Sequence, residues 1–316
     1  MRVFWFKSIA FVLVVTACLS ALVAMKYCFS DRLAPQTLGL GGLLREKEVD
    51  FLFIGSSHTR QSYDVQLLER HTGKSAYLVS YNGLGPFLME PLIRFVAEND
   101  RVRIKTYVLE VRVFGILHPP ALQDTRLFFD APRTLKHRIL RLAWNDIPGF
   151  DLYSLYELVV VSNNDLILTA PVSNPLISRG SYKGGYLKRE RRALRSDEFD
   201  NLKSPMPGID AVRPDPRQLA SLRNIFQYVK ERNLEAVFVE TPMPAPVEED
   251  PGTILNKRYV GDLIRNEGFV YVDGAVGFDT RNPSLFVDNN HLSRTGREVF
   301  TERMADLLSE RKWRSQ

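Results

Sequence analysis

Cysteine is almost absent from this chain. Cys18 and Cys28 are the only two, and both lie in or beside an N-terminal apolar run. The remainder of the chain therefore holds neither disulfides nor thiolate metal sites, and the pair says nothing about redox compartment. An excess of one charge sign is lacking too: 42 Lys and Arg stand against 37 Asp and Glu, a formal net charge of +5. The basic residues are scattered among acidic ones, which argues against a nucleic-acid footprint. Histidine is scarce, at five residues. His71, His118 and His137 lack ligand spacing with one another or with nearby carboxylates, so neither a metal nor another cofactor is expected. Internal repeats and low-complexity tracts are missing. A second long apolar run is missing as well, because the apolar piece at 158–170 is short and broken by Ser162, Asn163, Asn164 and Asp165.

What remains is a chain of 316 residues with 45% hydrophobic residues, enough to bury a substantial core in one large domain or two small ones. Residues 8–25 carry no charge and are bounded by Lys7 and Lys26, with Phe4, Trp5 and Phe6 just ahead. Such a run can cross a bilayer as one helix. Three readings compete: a retained signal anchor, a cleaved signal peptide and a lipoprotein signal ending at Cys18. The anchor is preferred, since Leu22 and Met25 surround the best cleavage candidate, Ala24, and the apolar stretch continues past Cys18. Arg2 and Lys7 favour a cytoplasmic N-terminus, with Lys26 and Arg32 weakening the asymmetry. All three readings export the same domain. The expected organisation is a cytoplasmic tip and transmembrane anchor at 1–30, a Pro-, Gly- and charge-rich linker at 31–48, and a globular domain at 49–316.

Within the domain, short apolar runs alternate with amphipathic stretches: FLFI at 51–54, AYLV at 76–79, YVLEV at 107–111, AVFV at 236–239 and FVYV at 269–272. Runs of this kind predict parallel strands covered on both faces. Leu219, Leu222, Ile225, Phe226 and Val229 share one helical face, and Phe300, Met304, Leu307 and Leu308 mark a last helix, opened by a Thr295 to Glu298 capping-box spacing. The alternation predicts an α/β fold, a three-layer α/β/α sandwich with a central parallel sheet. Ligands of such sheets gather outside the carboxyl ends of the strands. Residues at about 115–215 interrupt the alternation and are too long for a plain loop, which predicts a partly helical insertion beside or over the site.

Two segments carry chemistry. Directly after the first strand come Gly55, Ser56, Ser57 and His58, followed by Thr59 and an expected amphipathic helix carrying Val65, Leu67 and Leu68. A serine at a strand-to-helix turn projects its hydroxyl from the sheet edge, where helix amides can meet a developing oxyanion; serines that merely cap the helix are the plainer reading. Near the C-terminus stand Asp288 and His291, three residues apart on a loop leading into a helix. One short segment can thus supply a base and the anion that holds its tautomer, although a helix-start turn with an exposed histidine has the same appearance.

Taken together, the segments resemble the SGNH/GDSL hydrolase family. Gly55, Ser56 and Ser57 match the first block, Gly-Asp-Ser, with Ser56 in place of the aspartate; Asp288 to His291 matches the last block, Asp-x-x-His. The likeness runs from about Val49 to Leu308, leaving out the insertion. It implies Ser57 as nucleophile, with Asp288 and His291 completing a triad, and the amide of Ser57 in the oxyanion hole. Tyr81, Asn82, Gly83, Leu84 and Gly85 follow the second strand and can supply the second-block glycine, Gly85 being preferred over Gly83; glycines that only make the turn remain the alternative. The third-block asparagine is missing, since the chain reads Arg112, Val113, Phe114 and Gly115. Arg112 either serves the oxyanion or makes an ordinary salt bridge with Glu110. A Gly-Ser-Ser block, the absent asparagine and the anchor are similar to the SGNH-like proteins that assist lipoteichoic-acid D-alanylation and alginate O-acetylation beside membrane-bound O-acyltransferases.

That resemblance implies an extracytoplasmic, membrane-attached serine esterase or O-acyltransferase acting on acyl esters of an envelope glycan or polymer. Its rival is a non-catalytic assembly or binding subunit partnering such an acyltransferase. His58 either touches substrate or plays a polar helix-start role, the second being preferred. The basic cluster at 183–195 reads as a solvated helix face in preference to a contact for anionic lipid or polymer.

Overall fold

In the computed structural model, residues 2–33, 39–158, 191–204 and 213–309 are described. Five strands, β1 (Glu48–Gly55), β2 (Ala76–Ser80), β3 (Arg103–Glu110), β4 (Glu235–Glu240) and β5 (Val270–Asp273), form one sheet in the order β2-β1-β3-β4-β5. Every pairing is parallel. Each of the five apolar runs lies in one of these strands; the last residue of the third, Val111, and the first of the fifth, Phe269, fall just outside.

The strands are largely apolar because both faces are covered. Alternate side chains feed two cores. Leu52, Ile54, Tyr77, Val79, Tyr107, Leu109 and Phe238 pack with the helices Pro86–Ala97, Pro216–Glu231 and Pro251–Asn266. Phe51, Phe53, Leu78, Val108, Val237, Val239 and Val272 pack with Val65–Thr72 and Arg294–Ser309. The architecture is α/β, with helices on both faces of a parallel sheet.

Strand order decides where a site forms. The chain leaves β1 for β2 through helices on one face, and returns from β2 through Pro86–Ala97 on the other to place β3 on β1's free side. The order therefore reverses between β1 and β3, and a crevice opens outside their carboxyl ends. Ser57 lies two residues beyond β1, and Arg112 two residues beyond β3.

Several local expectations change. The segment after β1 is two helices, Ser57–Ser62 and Val65–Thr72; Asp64 breaks between them and accepts the amides of Gln66 and Leu67, both at 3.1 Å. The last helix begins at Arg294 and is capped by Ser293, whose hydroxyl accepts the Gly296 amide at 3.1 Å, while Glu298 pairs with Arg294 instead of closing a box with Thr295. Inside the expected linker, Gly39–Leu43 is a short helix with Leu40 and Leu43 fully buried. Its glycine-rich sequence has no helical periodicity, and burial of two leucines is what orders it. Of the insertion, the helices Val113–Leu117, Thr125–Asp130, Arg133–Asp146, Leu152–Tyr156 and Ser196–Asp200 are described; most of the apolar piece at 158–170 and of the basic cluster at 183–195 lies outside the described residues.

Residues Arg2–Leu33 form a single helix with Phe6, Ile9, Phe11, Leu13 and Val14 exposed. Among the described residues no helix is long and apolar enough to cross a membrane. The fold by itself does not establish the expected transmembrane span at 1–30; the side chains at 2–4, 19, 22, 23 and 25–33 of this helix lie outside the described residues.

Candidate active site

The turn that presents Ser57 is built on a buried carboxylate. Glu110, at the end of β3, accepts the Ser56 amide at 2.6 Å, the Ser56 hydroxyl at 3.1 Å and the Thr59 amide at 3.2 Å, together with a short bond from the Thr59 hydroxyl. Ser56 in turn caps the Ser57–Ser62 helix through the His58 amide. Gly55 is required by this closeness, because a Cβ there would collide with Thr59 Oγ1 and the Glu110 side chain. The sheet edge and the first helical turn are tied together, and the Ser57 hydroxyl is left facing outward.

A second loop brings the base. Phe286 and Leu292, both buried, form an antiparallel bridge, and the Val287 amide bonds the His291 carbonyl at 3.0 Å. Between these clamps the Asp288 carboxylate accepts the amides of Asn290 and His291, each at 2.9 Å, an Asx-type turn that fixes the carboxylate and the imidazole together. His291 Nδ1 lies 2.9 Å from Asp288, and His291 Nε2 lies 3.0 Å from Ser57 Oγ. The two segments, 234 residues apart, meet in one hydroxyl–imidazole–carboxylate chain. Burial pushes the Asp288 carboxyl up, but its bond to His291, the charge of that ring and the two amides outweigh burial and hold it below the ordinary carboxylate range.

A cavity of 260 Å³ opens beside Ser57, with Gly83, Gly85, Arg112, His118, Gln123 and Gln218 among its walls. Gly85 caps the Pro86–Ala97 helix from this wall, and Gln218 accepts the Phe87 amide at 3.0 Å behind it. A Cβ at Gly85 would press on Gln218 and on the Gly115 carbonyl. Arg112 is buried, its Nε 3.8 Å from Glu110. Burial draws its guanidinium pKa down against the opposing pull of Glu110 and Glu240. The ion pair with Glu110 and a place in the cavity wall thus coexist.

Three contacts went unforeseen. Glu110 anchors the serine turn, and its signal was available: a carboxylate at the end of an apolar strand must find donors. Arg191, from the basic cluster, reaches Asp288 Oδ2 at 3.0 Å, and the neighbouring Leu194 amide bonds the Phe286 carbonyl at 2.9 Å. No spacing rule links residues 97 apart. His58, read as a helix-start residue, does use its amide in the cap, but its ring stacks on His291 with centroids 4.6 Å apart and planes 12° from parallel. His71 pairs with Asp306 at 2.8 Å, and among the described residues no three His, Cys, Asp or Glu side chains gather as a ligand set.

No protein-family model matches this chain, and a search of curated proteins finds no relative.

Proposed function

We propose that the chain is a serine esterase or O-acyltransferase of the SGNH/GDSL type, attached to the membrane by its N-terminal helix and working outside the cytoplasm on acyl esters of an envelope glycan or polymer. The observation that carries the proposal is the chain of bonds from Ser57 Oγ through His291 to Asp288. His291 Nε2 takes the Ser57 proton as Oγ attacks the acyl carbonyl, while Asp288 holds Nδ1–H and balances the imidazolium. The amides of Ser57 and Gly85 are the assigned oxyanion donors, with Arg112 adding charge from the cavity wall. Collapse expels the alcohol, which takes the proton from His291 and leaves acyl-Ser57. Water or a sugar hydroxyl then attacks by the reverse sequence, and which of the two it is separates hydrolase from transferase. Strand order β2-β1-β3-β4-β5, with the site at the reversal point, supports the SGNH/flavodoxin-like part of the reading.

Attachment is supported by the row of exposed apolar side chains on the Arg2–Leu33 helix. The missing third-block asparagine favours a second reading, a non-catalytic subunit that binds glycan or a membrane-bound O-acyltransferase. Release of a chromophore from a short-chain acyl ester by the detergent-solubilised chain separates the two. Turnover lost in both Ser57→Ala and His291→Ala is expected, with unchanged thermal unfolding; a wild-type rate no higher than that of Ser57→Ala leaves the binding subunit in front.

A further inference from the structure

The site contains a second histidine that the triad does not use. Besides its stack on His291, His58 places Nδ1 at 2.8 Å from Ser56 Oγ, and Ser56 Oγ lies 3.1 Å from each oxygen of Glu110. The Ser56 hydroxyl has one proton to give. If it goes to Glu110, Ser56 Oγ accepts from both the His58 amide and His58 Nδ1–H, and every contact is a hydrogen bond. If it goes to His58 Nδ1, the Ser56 oxygen faces two carboxylate oxygens with no proton between them. The ring would then also bury an Nε2–H donor, and His58 Nε2 is a buried atom with no hydrogen-bond partner among the described residues. The first arrangement leaves only a lone pair unsatisfied, and the proton count selects it.

We propose, resting on the catalytic reading above, that His58 is a positioning residue for His291. Locked as its Nδ1–H tautomer by Ser56 and Glu110, it presents an uncharged ring face that sets the plane of His291, so that the stacked pair holds one mobile proton and holds it on His291. The groups around His58 agree with an uncharged ring. Arg112, His291 and Arg60 all oppose a charge there, and burial, the largest influence, does the same, drawing its pKa well below the ordinary histidine range. Glu110, 3.6 Å away, is the sole carboxylate paired with it among the described residues, and it is already engaged by Ser56 and Thr59. Two charged imidazoles stacked at this distance would repel, and a base that shares its proton with a neighbour is a poorer base. A fixed neutral neighbour avoids both, and its face limits the tilt that would carry His291 Nε2 away from Ser57.

Imidazole NMR of the full chain in detergent micelles, with the five histidines assigned by substitution, tests the proton count directly. His58 should show the Nδ1–H tautomer and no protonation of its own between about pH 5 and 9. An Nε2–H tautomer, or a His58 that titrates in that range, overturns the proposal. Fluorophosphonate labelling rates test the stacking: His58→Ala should lose at least about tenfold while His58→Phe, which keeps a ring face, stays within about threefold of wild type. Equal losses in the two variants, or none in His58→Ala, would also overturn it. Wild-type protein that resists the probe yet shows the expected tautomer would remove the esterase reading and leave the histidine pair standing.

Discussion

Asp288 shows how much of the site is settled by single hydrogen bonds. Its carboxylate receives two amides and the imidazole, and Arg191 lies against its second oxygen. Asp288→Asn should keep the fold but cost much of the esterase rate, since an amide can hold His291 in the wrong tautomer; its thermal midpoint and rate are to be measured together. Arg191→Ala is milder. The pair is partly exposed and of small energetic weight, so the expected loss is under about threefold in rate with stability unchanged within ~0.5 kcal/mol. Deeper in the molecule, the buried Glu240 accepts the Tyr271 hydroxyl at 2.6 Å, and burial pushes its carboxyl up to about 7 against the opposing charge of Lys257, which pairs with Glu248 and Asp273 at 2.7 Å each. A raised carboxyl keeps its proton in the fold after the unfolded chain has lost it. Its contribution is therefore complete below the unfolded value and disappears as pH climbs to about 7. Chemical denaturation at pH 5 and pH 8 should show wild type losing on the order of 3 kcal/mol more than Glu240→Gln over that interval. Equal losses would place the proton elsewhere.

At the level of elements, legibility followed periodicity. The five strands announced themselves because burial on both faces demands largely apolar runs, and the helices containing Leu222 and Phe300 because one face is apolar at helical spacing. Ser57, Asp288 and His291 were readable from the turns that flank those elements. What escaped depends on packing across the sheet edge. Glu110 beneath the serine turn, the stacking of His58 and the reach of Arg191 are all contacts between segments whose distance apart no local pattern encodes. The helix Gly39–Leu43 escaped for a different reason: its glycines disfavour a helix, and only the buried leucines justify one. The turn at Gly55 offers a test at this scale. Gly55→Ala must push Thr59 and Glu110 apart, so labelling of Ser57 should fall by more than about tenfold, with stability lower by about 1–3 kcal/mol from strain of the kind seen on overpacking. Wild-type labelling in that variant would mean that the Glu110 anchor does not hold the serine.

For the whole molecule, Leu40 and Leu43 place the start of the domain ahead of residue 49, and truncation tests it. A chain beginning at residue 31 keeps them and should unfold cooperatively near the temperature of the full protein. One beginning at residue 49 loses both leucines, and with them the bonds from Tyr77 to the Gly39 carbonyl at 2.9 Å and between Leu40 and Tyr81. At about 2–5 kcal/mol for each buried leucine, such a loss consumes much of a domain's stability, so the shorter chain should aggregate or melt far lower in a thermal scan. Attachment itself is read by a reporter fused at residue 309, expected to be active only outside the cytoplasm; activity inside would remove export from the account.

The claim on which everything else depends is that Ser57 is a nucleophile activated by His291. Fluorophosphonate treatment of the full chain, followed by peptide mass mapping, measures it most directly. One modified residue, Ser57, is expected, with labelling abolished in Ser57→Ala and reduced at least about a hundredfold in His291→Ala, and with little further loss in the double variant, because the two residues act as one unit. Modification at Ser56 in place of Ser57, or undiminished labelling in His291→Ala, would contradict it.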